Sequence, residues 1–145
     1  MLEKINKPND IRKIPAESLP ELAEEIREFL IRSLSRTGGH LASNLGIVEL
    51  AVALEREFDS SRDRIIYDVG HQCYVHKILT GRRDRFDTLR QYGGLCGFMK
   101  PEESITDPCI TGHASDSVSV RSAWRMHARL KTRNTTLSRS SATVR

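Results

Sequence analysis

Residues 64–69, Arg-Ile-Ile-Tyr-Asp-Val, form a short β-branched run bounded by polar turns, Asp59-Ser60-Ser61-Arg62-Asp63 before it and Gly70 after it. Such a run suits a buried parallel strand. A buried parallel strand needs neighbours on both sides, because its backbone donors and acceptors must be paired. The rest of the chain offers helices but no second strand of this quality. The predicted fold class is therefore α/β, with an incomplete sheet.

The helical signals surround this strand. Residues 17–39 read as one helix: Ser18 and Glu21 have capping-box spacing, Pro20 sits in the first turn, and Gly38-Gly39 ends it. Leu22, Ile26, Phe29, Ile31 and Leu34 mark its apolar side. Acidic Glu21, Glu24, Glu25 and Glu28 precede Arg27, Arg32 and Arg36, as the helix dipole prefers. A second helix is predicted from Asn44 to Phe58, and a two-turn helix from Gln72 to a stop at Gly81. A short helical pattern runs from Phe86 to Tyr92. Residues 1–17, broken by Pro8 and Pro15, read as an extended lead-in.

Composition narrows the class. The 145 residues carry 23 Lys and Arg against 19 Asp and Glu, a formal charge of +4. The charge is unevenly placed. Residues 1–120 hold 16 basic and 19 acidic side chains, a net −3, whereas residues 121–145 hold seven basic side chains and no acidic one. No apolar run approaches the ~20 residues of a membrane span, and the N-terminus lacks the apolar core of a secretory signal. Cys73, Cys96 and Cys109 are odd in number and irregular in spacing, so neither a disulfide framework nor a zinc site is expected. Reduced thiols in a cytoplasmic protein are the expectation.

Three segments pair glycine with histidine: Thr37–Gly46, Asp68–Gln72 and Thr111–Ser115. Each alone reads first as a turn glycine beside a surface or hydrogen-bonded histidine. Together they are more specific, and His71 stands just past the predicted strand, where ligands bind in open α/β sheets. Imidazole donates to phosphate and transfers protons near neutral pH. The Gly81–Arg85 cluster reads as a solvated turn in which Asp84 pairs with a neighbouring arginine, or as a phosphate contact.

The ordered series SRTGGHLASNLGIVELAVAL, DRIIYDVGHQCYVHKILTGRRDRFDTLRQYGGLCGF and TGHASDSVSV resembles the 1-deoxy-D-xylulose-5-phosphate synthases, from about Leu2 to Val120. The resemblance implies a transketolase-like fold and a transferase dependent on thiamine diphosphate and Mg²⁺. It implies condensation of pyruvate, with loss of CO₂, and glyceraldehyde 3-phosphate, feeding isoprenoid, thiamine and pyridoxine biosynthesis in a cytoplasmic homodimer. Carried over by residue, His40 is the catalytic histidine, concerned with proton transfer. His71 is a cofactor contact, and Gly112, His113 and Ala114 form a loop along the cofactor. Cys73 and the Asp107–Ile110 stretch depart from the family's usual residues. No residue is assigned as a metal ligand. Neither a membrane nor a nucleic-acid partner is expected.

Residues 1–120 thus read as the N-terminal part of the thiamine-diphosphate domain. After Val120 the family pattern, a helix beginning ALGMA and a strand ending GDG that helps hold magnesium, is missing. Loss of one base after the Val120 codon accounts for this. Trp124 and Met126 have single codons, and permitted codons for residues 121–145 in the displaced frame spell LGMAHAREVENEEYNVVAVIGDGA. Residues 121–145 therefore read as an out-of-frame, disordered basic tail, and the chain alone is expected to be inactive. The competing readings are a fragment that docks on an intact or split synthase, and a basic nucleic-acid-binding arm.

Overall fold

The computed structural model describes residues 1–132. Its longest helix, α1 (Leu19–Thr37), buries Leu22, Ala23, Ile26, Leu30 and Leu34, a stripe at nearly four-residue spacing. That stripe packs on α3 (Val48–Glu57), which contributes Val48, Ala51 and Val52 to the same core. Between them lies the single turn α2 (Leu41–Leu45). The expected helix from Asn44 to Phe58 is therefore two helices, interrupted at Gly46 and Ile47. One apolar assignment on α1 differs. Ile31 is 48% exposed, and the buried register falls on Leu30 instead.

The start of α1 is not a capping box. A short 3₁₀ turn, Ala16–Ser18, runs directly into it, so Ser18 is already helical and its side chain caps nothing. At the other end Gly38, at φ +73°, receives the chain, and its amide bonds the Leu34 carbonyl at 2.8 Å.

The lead-in is not extended. It folds into 3₁₀ turns at Leu2–Lys4 and Asp10–Lys13, and Leu2, Ile5, Ile11 and Ile14 all enter the core. The Asp10 carboxylate accepts the Asn6 and Lys7 amides, holding the turn around Pro8. Arg12 donates to the Arg56 and Glu57 carbonyls at the end of α3, and Arg56 donates back to the Ile14 carbonyl. Four hydrophobic anchors and this reciprocal pinning outweigh the prolines.

No strand forms among the described residues, so the predicted strand at 64–69 is not observed. The physical reason is the one its sequence raises: no second strand is present to complete a ladder. Ile65 and Tyr67 are nevertheless buried. The segment leads through a 3₁₀ turn (Gly70–Gln72) into α4 (Tyr74–Lys77), a wide turn at Ile78–Arg82 and a 3₁₀ helix at Arg83–Thr88. The last replaces the pattern expected from Phe86 to Tyr92. The final helix, α5, spans Asp116–Thr132. It carries the chain helically through residues 121–132, where the sequence pattern points to a disordered tail; residues 133–145 lie outside the described residues.

Candidate active site

Two of the three Gly-His segments meet directly. The rings of His40 and His71 lie 4.4 Å apart, centroid to centroid, and tilted by 42°. His40 enters this position through the turn that ends α1. Gly39 has φ +137°, and a Cβ there would lie 3.0 Å from the Tyr74 hydroxyl, so only glycine brings the turn over that ring. Burial, then the neighbouring charges of His71 and Arg90, hold His40 below the ordinary histidine value. At neutral pH its imidazole is uncharged and able to take up a proton.

One side chain joins the two histidine segments. Asn44, completely buried, donates from Nδ2 to the carbonyls of His40 at 2.8 Å and His71 at 2.9 Å, and its Oδ1 accepts the Tyr74 amide at 3.0 Å. Both donors and the acceptor of the amide are used.

The third segment is tied to the second rather than to the histidine pair. Asp68 accepts the Ser115 amide at 2.8 and 3.0 Å and the Ser117 hydroxyl at 2.7 Å. Thr111 bonds the Tyr67 carbonyl at 3.0 Å, and a Cβ at Gly70 would lie 2.1 Å from the Thr111 carbonyl oxygen. The Asp116 carboxylate, opening α5, accepts the Gly112 and His113 amides. Gly112, His113 and Ala114 are exposed, and no atom stands where a Gly112 Cβ would project.

Sequence reasoning missed a second polar centre. His76, fully buried, bonds Glu55 through Nδ1 at 2.5 Å and Asp107 through Nε2 at 3.0 Å. A neutral imidazole donates only one hydrogen, so two carboxylate partners select the imidazolium. Burial works against that charge, but Glu55 and the bonds to both carboxylates outweigh it and raise the His76 pKa. Arg82 forks onto Asp107 with two bonds of 2.7 Å. Asp107 is thereby held below the ordinary carboxylate range, although burial opposes the shift. Lys77, also fully buried, pairs with Glu103 at 2.5 Å. Arg82 is thus structural, while Arg83 bonds Asp84 at 3.0 Å as the solvated-turn reading expects. Cys73 is a buried filler whose thiol is pushed up to about 12, chiefly by burial.

With this geometry in view, the comparisons decide the family. The sequence profile described as 1-deoxy-D-xylulose-5-phosphate synthase matches residues 2–138. The chain belongs to the 1-deoxy-D-xylulose-5-phosphate synthase family. The 1-deoxy-D-xylulose-5-phosphate synthase 1 of Geobacter sulfurreducens is 58% identical over 131 residues, covering 90% of this chain and 21% of the relative. The synthase of Caldanaerobacter subterraneus subsp. tengcongensis is 60% identical over 119 residues, 82% of this chain and 19% of that protein. That of Alkaliphilus oremlandii is 61% identical over 118 residues, again 19% of its length. The chain spans about a fifth of the curated relatives it matches. The transketolase-like assignment stands with the family, while the described residues themselves are helical.

The donors present suit part of a thiamine diphosphate site. Two imidazoles lie side by side, and the open Gly112–Ala114 loop presents backbone without side-chain obstruction. They do not suit a metal: among the described residues no group of three His, Cys, Asp or Glu could hold an ion. No helix there is long and apolar enough to cross a membrane.

Proposed function

We propose that this chain contributes one wall of the thiamine diphosphate site of a 1-deoxy-D-xylulose-5-phosphate synthase. The observation that carries the reading is the His40–His71 pair, assembled from two sequence-distant Gly-His segments. When bound, thiamine diphosphate supplies the carbanion chemistry by which pyruvate loses CO₂ and joins glyceraldehyde 3-phosphate. His40, uncharged at neutral pH, takes or returns a proton at its free ring nitrogen. His71 donates a hydrogen bond to the cofactor, and Gly112, His113 and Ala114 lie along it. No step is assigned to magnesium, whose ligands are not found among these residues. In the whole synthase, a cytoplasmic homodimer, residues 64–69 would gain the strand neighbours of an α/β sheet.

Calorimetric titration of the purified chain with thiamine diphosphate tests this reading. Weak binding that His40→Ala and His71→Ala each reduce supports it, and heat of dilution alone overturns it. In a coupled assay with pyruvate, glyceraldehyde 3-phosphate, thiamine diphosphate and magnesium, the chain alone is expected to give no product.

A second reading, a fragment that docks on another synthase chain, draws on α5, where Val118, Met126 and Leu130 are each more than 60% exposed. Co-purification of a synthase polypeptide would favour it. The displaced reading frame after Val120 remains a proposal about the gene. The codon string favours a displaced tail, and the family profile's reach to residue 138 favours one in frame. Resequencing around the Val120 codon decides between them.

A further inference from the structure

We propose that Asn44 is the positioning residue of the histidine pair: its side-chain amide, locked by the Tyr74 backbone, sets the separation and tilt of His40 and His71. The inference rests on the functional reading above only for its importance to catalysis. The geometry stands by itself.

His40 and His71 are brought together by chain segments 31 residues apart, and neither ring is deeply enclosed. His40 is exposed and His71 only partly covered. Ring contact between two imidazoles, each able to carry positive charge, does not hold them together. Their backbones must be held instead. Among the described residues, Asn44 is the side chain that bonds both, donating to the two carbonyls at 2.8 and 2.9 Å. A rotation of its amide would put oxygen against both carbonyls. The Tyr74 N–H, donating 3.0 Å to Oδ1, prevents that rotation. Tyr74 also underlies the turn, because its hydroxyl is the atom that a side chain on residue 39 would strike. Asn44 falls in the apolar register of Leu41 and Val48, three residues after one and four before the other, where leucine would otherwise fill the core. A fully satisfied buried amide at such a place fixes one arrangement of the chain.

The groups facing His40 are His71, Arg90 and the Tyr74 ring system. None is a carboxylate, so dispersal of the pair moves His40 in one direction only, upward toward its ordinary value.

NMR of the full chain tests the proposal. The ring-proton NOE between His40 and His71, and the His40 titration midpoint, are measured in the wild type, Asn44→Ala and Asn44→Asp. Asp keeps the acceptor for Tyr74 but loses the donors to both carbonyls. In both variants the NOE should vanish while the buried His76 signals stay in place, and in Asn44→Ala, which adds no charge, the His40 midpoint should also rise. Persistence of the NOE in either folded variant, or of the His40 midpoint in folded Asn44→Ala, would overturn the proposal. Unfolding of both variants would also overturn it, since Asn44 would then be a residue of the core at large. Thiamine diphosphate titration of the same samples separates the two readings. A wild type that has the NOE but does not bind the cofactor would defeat the functional reading and leave Asn44's role intact.

Discussion

His40 and His76 are 36 residues apart in one small chain and sit in opposite electrostatic settings. His40 lies at the surface, and its pKa falls through partial burial, then through His71 and Arg90 beside it. His76 lies in the core between two carboxylates, and its pKa rises in spite of burial. Burial opposes the proton on both rings, and only at His76 do carboxylate partners overcome it. The exposed histidine is left uncharged and free to exchange a proton, which is what a reacting group needs. The buried one is fixed as a cation and used as a bolt between Glu55 of α3 and Asp107 near the end of the loop-rich stretch.

The contrast predicts that removing the buried histidine has the largest effect. His76→Ala leaves Glu55 and Asp107 with a shared cavity and no bridging cation, and a broken buried pair costs about 3–5 kcal/mol. Urea denaturation followed by circular dichroism should show a loss of that order, or no cooperative transition at all. A loss below ~1 kcal/mol would mean that Arg82 alone neutralises Asp107.

Gly70→Ala should come next. The added methyl meets the Thr111 carbonyl at 2.1 Å and its hydroxyl at 2.5 Å. Either the backbone of residues 111–115 moves or the fold absorbs an overpacking strain of about 1–3 kcal/mol. Hydrogen exchange reads which. Selective loss of protection at Ser115, whose amide binds Asp68, marks release of the third Gly-His segment. A uniform loss marks general strain.

How much of this was legible in the sequence differs between the two centres. Glycine next to histidine is a local signal, so His40, His71 and His113 could be picked out and the first two do meet. The buried network has no local signal. Glu55, His76, Arg82 and Asp107 are spread over 53 positions, and a charged residue on a helix is ordinarily read as solvated. Asp107 stood out only as a departure from the family's usual residues. Asn44 carried a faint mark, a polar residue in an apolar register. Residues 64–69 differ for another reason: β-branched composition reports burial, which Ile65 and Tyr67 do show, but a strand exists only with a partner.

Stability against pH should reproduce the contrast in milder form. His76 has a raised folded pKa, so its contribution is complete below the ordinary histidine value and is lost as pH rises through the raised one. Asp107 has a depressed folded pKa, so its contribution is present above the ordinary aspartate value and is lost as pH falls through the depressed one. Maximum stability is therefore expected between about pH 4 and pH 6.5. The acid limb is shared with Asp10 and Asp59, which are also held low by their hydrogen bonds. The alkaline limb is shared by His76 and the Met1 amino group, which its bonds to Glu25 and Glu3 hold above the ordinary value, and melting temperatures recorded across pH 6–9 should fall in the wild type.

The smallest effect on stability is expected at His40. The side chain is exposed and meets His71 through ring contact. Its backbone carbonyl, which Asn44 uses, survives substitution. His40→Ala should therefore change unfolding free energy by no more than about 0.5 kcal/mol. At low pH it removes a group whose protonation is opposed by burial, His71 and Arg90. Denaturation at pH 5 and pH 8 reads this directly: the variant should gain relative to wild type at the lower pH and match it at the higher. A loss above 1 kcal/mol at pH 8 would place His40 with His76 as a structural residue, and the distinction between the two histidines would fail.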